Sequence, residues 1–193
     1  MRSRGGISVV VAGLMLAVTS GCAAAPGDAP TSMPSPEASA TAEMSAEEVA
    51  AQQTAETWLE TTPVPPGAVR SQESTSEAFA MSYQGWVCTP TMTETGYWTV
   101  EGMSPAEAVN WMLEHPTPGL VSTRSGPIPV DDDSYDNVMA GATPEGESLQ
   151  GIAFTYVKTP EGTAIRAEVG ATPADAVCPT PPGGGTWGRP GEG

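Results

Sequence analysis

Basic residues are scarce in this chain. There are 7 Lys and Arg among 193 residues, against 23 Asp and Glu, for a formal charge of −16. That deficit excludes a nucleic-acid-binding domain, which needs a positive surface to displace counterions from phosphates. Histidine occurs once and cysteine three times. A structural zinc site takes about four Cys or His ligands, and the four here are scattered from Cys22 to Cys178. No cofactor is expected. Long apolar runs are missing too: the one clear run, Ile7 to Val18, would make a helix of about 18 Å, short of a hydrocarbon core of about 30 Å. A polytopic membrane protein is thereby excluded.

The N-terminus carries the most specific signal. Arg2 and Arg4 precede the apolar run, and Thr19, Ser20 and Gly21 lead to Cys22. That order reads as a secretory signal peptide over 1–21. Its end resembles the lipobox of bacterial lipoproteins, in which small residues precede an invariant cysteine. The resemblance implies that Cys22 is lipidated and becomes the new N-terminus, bearing diacylglyceryl and further acyl chains such as palmitate. Two or three chains on one residue would hold the protein at the extracytoplasmic face of the cell membrane, where a single chain would bind only reversibly. The family usually has an aliphatic residue three positions before the cysteine; here that position is Thr19, with Val18 one step earlier. Loss of Arg2 and Arg4 with the signal takes the formal charge from −16 to −18.

Residues 22–44 hold Ala, Pro, Ser and Thr with three acids and no aromatic side chain. Such a stretch buries too little to offset its ordering entropy and is expected to be a disordered spacer. As a flexible coil its reach is about 25 Å. Residues 179–193, rich in Pro and Gly around Trp187, are expected to be a disordered tail.

The folded part is placed at 45–178, with its core over 76–178. Ser45 and Glu48 form a capping box for a helix from 46 to 60 with Ala51, Ala55, Trp58 and Leu59 on one face. Pro63, Pro65, Pro66 and Gly67 end it and open a connecting loop to Thr75. Phe79–Cys88 and Gly96–Glu101 read as strands. Ser104, Pro105 and Glu107 open a second capped helix, ended by His115 and Pro116. Gly119–Ser125 and Asn137–Ala142 are short strands. Residues 149–157 and 164–169 alternate in polarity around Thr159-Pro160-Glu161-Gly162-Thr163, a hairpin. The predicted class is α+β: a small, mainly antiparallel sheet with one or two helices packed on it.

With Cys22 lipidated, Cys88 and Cys178 remain in an oxidising compartment and are expected to pair. The alternative is two free thiols. A bond would close a loop of about 91 residues and contribute about 4–5 kcal/mol on the loop-entropy account.

Candidates for chemistry are few. His115, at a helix end, suits the helix dipole, and no Gly-x-Ser-x-Gly motif accompanies it. Asp131, Asp132, Asp133 and Asp136 are the densest acidic cluster. Asp131, Asp133 and Asp136 are weak metal candidates, because the calcium loop's sixth-position Gly and twelfth-position Glu are missing. Gly183-Gly184-Gly185 lacks the Gly-Lys-Ser/Thr ending of a phosphate loop. An anionic ligand would have to be met by Arg124, Lys158 or Arg166 singly. Tyr97 to Val100, Ser104-Pro105, Trp111, His115-Pro116 and Gly119-Leu120 together resemble a pattern of hypothetical exported proteins of high-GC Gram-positive bacteria. That resemblance implies the compartment and carries no activity. The expected function is a lipid-anchored, extracytoplasmic, non-catalytic binding or interaction module; the alternatives are a carboxylate-dependent envelope enzyme or a purely structural envelope component.

Overall fold

A computed structural model describes residues 43–131, 134–144 and 148–192. In chain order its elements are α1 (Ala46–Thr61), β1 (Val69–Ser71), a 3-10 turn (Glu77–Ala80), β2 (Met92–Glu101), α2 (Pro105–Glu114), β3 (Val121–Ser122), β4 (Asn137–Thr143), β5 (Gly151–Lys158) and β6 (Gly162–Ala171). Among the described residues these make an α+β fold. One six-stranded antiparallel sheet, ordered β1-β2-β6-β5-β4-β3, has both helices packed on it. The edge strands β1 and β3 have three and two residues. Edges that short offer little template for pairing with another chain.

Both helices begin where the sequence places them. The Ser45 hydroxyl accepts from the Glu48 amide at 3.1 Å, and the Glu48 carboxylate accepts from the Ser45 amide at 2.7 Å. Ser104 and Glu107 repeat the arrangement at α2, with Pro105 in the first turn. α1 buries Ala51, Ala55 and Leu59 over β2 and β6, with Trp58 half-buried beside them. α2 buries Ala108, Val109 and Met112 over β4 and β5. The sheet meets them with Trp98, Val100, Val138, Ala140, Ile152, Phe154, Tyr156, Ile165, Ala167 and Val169, every second residue of their strands. The hairpin forms as its turn residues require: the Thr159 amide donates to the Gly162 carbonyl at 2.8 Å.

Three expectations change. Phe79–Cys88 is not a strand. Its first residues form the 3-10 turn, capped by Ser76, and the rest is irregular to Cys88. Both edges of β6 are already taken by β2 and β5, so this segment has no ladder to join and crosses a sheet face instead. The loop after α1 contains β1, which adds to the free edge of β2 with Val69 opposite Thr99. Finally, the C-terminal tail is not loose throughout: Pro190 is fully buried and the chain around it lies on β4.

Candidate functional site

The sheet face away from the helices is polar at its centre. Tyr97, Arg166 and Thr155 are register partners across β2, β6 and β5, so they share this face, and Glu168 follows Arg166 two residues on. Two irregular segments lie on this face. The first is a strap, residues 77–88. Arg166 Nη1 donates to the carbonyls of Phe79 and Met81 at 2.9 and 3.0 Å. Its guanidinium carbon lies 5.1 Å from the centre of the Phe79 ring, and that ring is 6.0 Å from Tyr97. Arg166 Nη2 is 2.9 Å from Glu168 Oε2. The guanidinium is thus held by an ion pair, two carbonyls and an aromatic face, which is how a side chain only 2% exposed keeps its charge.

Further along, Trp86 lies directly on Gly170. A Cβ at that position would fall 2.5 Å from the indole ring, so the close approach requires glycine. Cys88 is disulfide-bonded to Cys178, and Thr89 exchanges two backbone hydrogen bonds with Val177, each 2.9 Å. The second covering segment is the tail. The Trp187 indole donates to the Pro179 carbonyl at 2.6 Å. The Pro190 carbonyl oxygen sits where a side chain on Gly141 would be, 1.7 Å from its Cβ position. The Gly191 amide donates to Gln84 Oε1 at 3.1 Å and clasps the tail to the strap.

The cover leaves polar atoms without aligned partners. Arg166 Nε and Nη2, Glu168 Oε2 and Thr155 Oγ1 are buried and make no hydrogen bond of good geometry. Such atoms cost about 1–3 kcal/mol each, reduced here by the Arg166–Glu168 attraction.

On the helix side, a cavity of about 20 Å³ lies between α2 and the β4–β5 pair, edged by Met112, His115, Ala140, Phe154 and Tyr156. That is room for about one water molecule. The Tyr156 hydroxyl donates to Met112 Sδ at 3.0 Å. Burial pushes the Tyr156 phenol well above the usual tyrosine range, against a smaller opposing effect of Arg124. An open groove of about 260 Å³ runs between α1 and the end of β6, past Glu47, Thr54, Trp58, Gln150 and Pro173.

The sequence candidates are spread over the molecule. His115 stacks on Trp111 with ring centres 4.0 Å apart and places Nδ1 2.7 Å from the Trp111 carbonyl, at the end of α2. Asp131 and Asp136 are exposed, and Asp136 lies 3.7 Å from Lys158 Nζ. Asp132, Asp133, Cys22 and the signal and spacer residues up to 42 lie outside the described residues. Among the described residues no three His, Cys, Asp or Glu side chains are grouped to hold a metal ion. Arg124 lines an open groove that also has Glu192 on its wall, and its Nη1 reaches the Met139 carbonyl at 3.4 Å. Of the three candidate cations, Lys158 and Arg166 each lie close to a carboxylate, 3.7 Å from Asp136 and 2.9 Å from Glu168 respectively. Sequence reasoning missed the strap. A usable signal was the placement of Arg166 and Glu168 on the outward side of β6, together with a Phe and a Trp upstream that no strand partner accounts for.

No protein-family description, curated protein or solved structure matches this chain.

Proposed function

We propose that this protein is a bacterial lipoprotein, anchored at the extracytoplasmic face of the cell membrane through Cys22, whose α+β domain is a non-catalytic binding module for a macromolecular partner. The observation that carries the compartment is the Cys88–Cys178 bond. Disulfides persist in oxidising compartments, and this one accounts for both cysteines that lipidation of Cys22 leaves over. Its Cys22 resembles the lipobox cysteine, and the Pro/Ala/Ser/Thr spacer behind it suits a tether. The acidity of the chain opposes attachment to an anionic membrane by charge, which leaves the lipid as the means of attachment.

The binding reading is supported by the far face of the sheet. Met81 and Tyr83, on the strap, are 68% and 56% exposed while their segment is fastened to the sheet on both sides. Large side chains presented on a fixed segment are the kind of anchor that interfaces use. The cavity under α2, about 20 Å³, is far below the roughly 300–1,000 Å³ of ligand sites, and the larger spaces, such as the groove of about 490 Å³ past Arg124, are open to solvent.

The test has two arms. Mass spectrometry of the mature protein from a Gram-positive host should find acylated Cys22 at the N-terminus, and Cys22→Ala should release the protein into the medium. Retention of the variant on the membrane would refute the anchor. A photo-crosslinking residue at Tyr83 should give a discrete adduct in intact cells, and one at Val69, exposed on the sheet edge, should not. Equal labelling from both positions would refute a binding surface on the strap.

A further inference from the structure

We propose that the strap 77–88 is a redox-releasable cover: reduction of Cys88–Cys178 lets the strap and the tail lift from the sheet while the sheet and helices stay folded. Three observations carry this. First, the fastenings of the strap are few and local. Among the described residues, no backbone–backbone hydrogen bond holds 82–88 to the rest of the chain. The contacts of this stretch include Trp86 on Gly170, the Gln84–Gly191 hydrogen bond, the Thr91 hydroxyl on the Cys88 carbonyl and the disulfide; Arg166 grips the residues just before it, and the two Thr89–Val177 hydrogen bonds follow directly after it.

Second, the sheet does not depend on the strap. Pairing of β2, β6, β5 and β4 runs unbroken through its registers, and the apolar core lies on the other face, under α1 and α2. Opening can therefore be local, a low-stability unit on a high-stability one.

Third, the covered surface carries polar atoms that water could reach on opening, the 2.9 Å Arg166–Glu168 ion pair among them. Arg166 Nε and Nη2, Glu168 Oε2 and Thr155 Oγ1 are buried there without aligned hydrogen bonds. Lifting the strap hydrates the Arg166–Glu168 pair, which offsets part of the loss of the Arg166 hydrogen bonds to the Phe79 and Met81 carbonyls and of Phe79 and Trp86 packing. The bond between Cys88 and Cys178 thus holds shut a cover whose floor regains hydration when it opens.

The chemistry is thiol–disulfide exchange with a dithiol. Its thiolate attacks the sulfur of Cys178, the exposed half of the bond, and Cys88, which is buried, leaves as thiolate. The second thiol of the reagent then displaces Cys178 and closes its own disulfide. Two electrons and two protons pass to the protein, which ends with two thiols. Reoxidation by a disulfide reverses each step.

Hydrogen exchange on the full-length protein, with and without dithiothreitol, tests the cover directly. The amides that are hydrogen-bonded at the end of the strap and in the tail, those of Thr89, Val177 and Gly191, should exchange at least tenfold faster after reduction. Peptides of β5 and β6 should change less than twofold, and reoxidation should restore the original rates. The Cys88→Ser/Cys178→Ser variant should match the reduced protein. Unchanged exchange at Thr89, Val177 and Gly191 would overturn the proposal, and so would loss of protection in β5 and β6 together with them. No partner binding is measured, so the result is independent of the binding-module reading.

Discussion

Arg166 and Phe79 are 87 residues apart and joined twice, by a 2.9 Å hydrogen bond from Nη1 to the Phe79 carbonyl and by the guanidinium lying over the Phe79 ring. One side chain of β6 thereby fixes both the backbone and the aromatic ring of the segment that covers it. Arg166→Met removes these links and leaves Glu168 buried beside no cation. The expected cost is about 3–5 kcal/mol, the range for breaking one side of a buried pair. Adding Glu168→Gln should recover part of it. Urea midpoints of the two variants check the order; a double variant less stable than Arg166→Met alone would contradict it.

Tyr156 and Met112 should respond asymmetrically to substitution. Tyr156→Phe removes the donor and leaves a weak thioether acceptor, so the loss should stay within about 1 kcal/mol. Met112→Leu leaves a buried hydroxyl unsatisfied and should cost about 1–3 kcal/mol. The double variant should be more stable than Met112→Leu, as thermal unfolding of all four proteins would show.

The same tyrosine sets an alkaline limit. Burial raises its folded pKa above the ordinary value of 10.0, so the folded protein holds a proton that the unfolded chain releases. Its contribution to stability is therefore level below pH 10 and falls as the pH rises past it. Denaturation midpoints of wild type and Tyr156→Phe should converge as pH rises above that value, and parallel curves would contradict the assignment.

At acid pH the start of α2 should weaken. Hydrogen bonds from the Ser104 amide and then its hydroxyl hold the Glu107 carboxyl below the ordinary 4.5. A depressed folded pKa gives a contribution present above that value and lost as the pH falls through the folded one. The Ser104 amide resonance should titrate below 4.5, and Glu107→Gln should abolish the titration. Ser104→Ala should cost about 1 kcal/mol at neutral pH.

Gly141→Ala should displace the tail, because the Pro190 carbonyl occupies the space its Cβ needs. Overpacking of this kind costs about 1–3 kcal/mol. In a chain ending at Thr186 the same substitution should cost less, since the clashing group is gone. Equal destabilisation in both backgrounds, read from urea midpoints, would show that Pro190 is not the obstacle.

Local rules made much of the fold legible. Ser45–Glu48 and Ser104–Glu107 announce helix starts because a cap is settled within four residues. Ile152 to Tyr156 and Ile165 to Val169 announce a hairpin because alternation and a Pro/Gly turn are likewise local. Phe79–Cys88 misled because its apolar residues are spaced like those of a strand. Whether such a segment finds a ladder depends on which edges other strands have taken, and the sequence does not display that. Arg166 was legible only as a lone cation on an outward face.

The sequence by itself determined where each helix begins, which side chains of the hairpin face the core, the acidic character of the chain and the cysteines available to pair. These follow from neighbours a few residues apart or from composition. Only the tertiary structure decided that a strap and a tail cross the second face, that Arg166 is buried beneath them, and that Gly141 and Gly170 receive Pro190 and Trp86. Each of those contacts joins residues that are far apart in the chain and close only once the sheet is assembled.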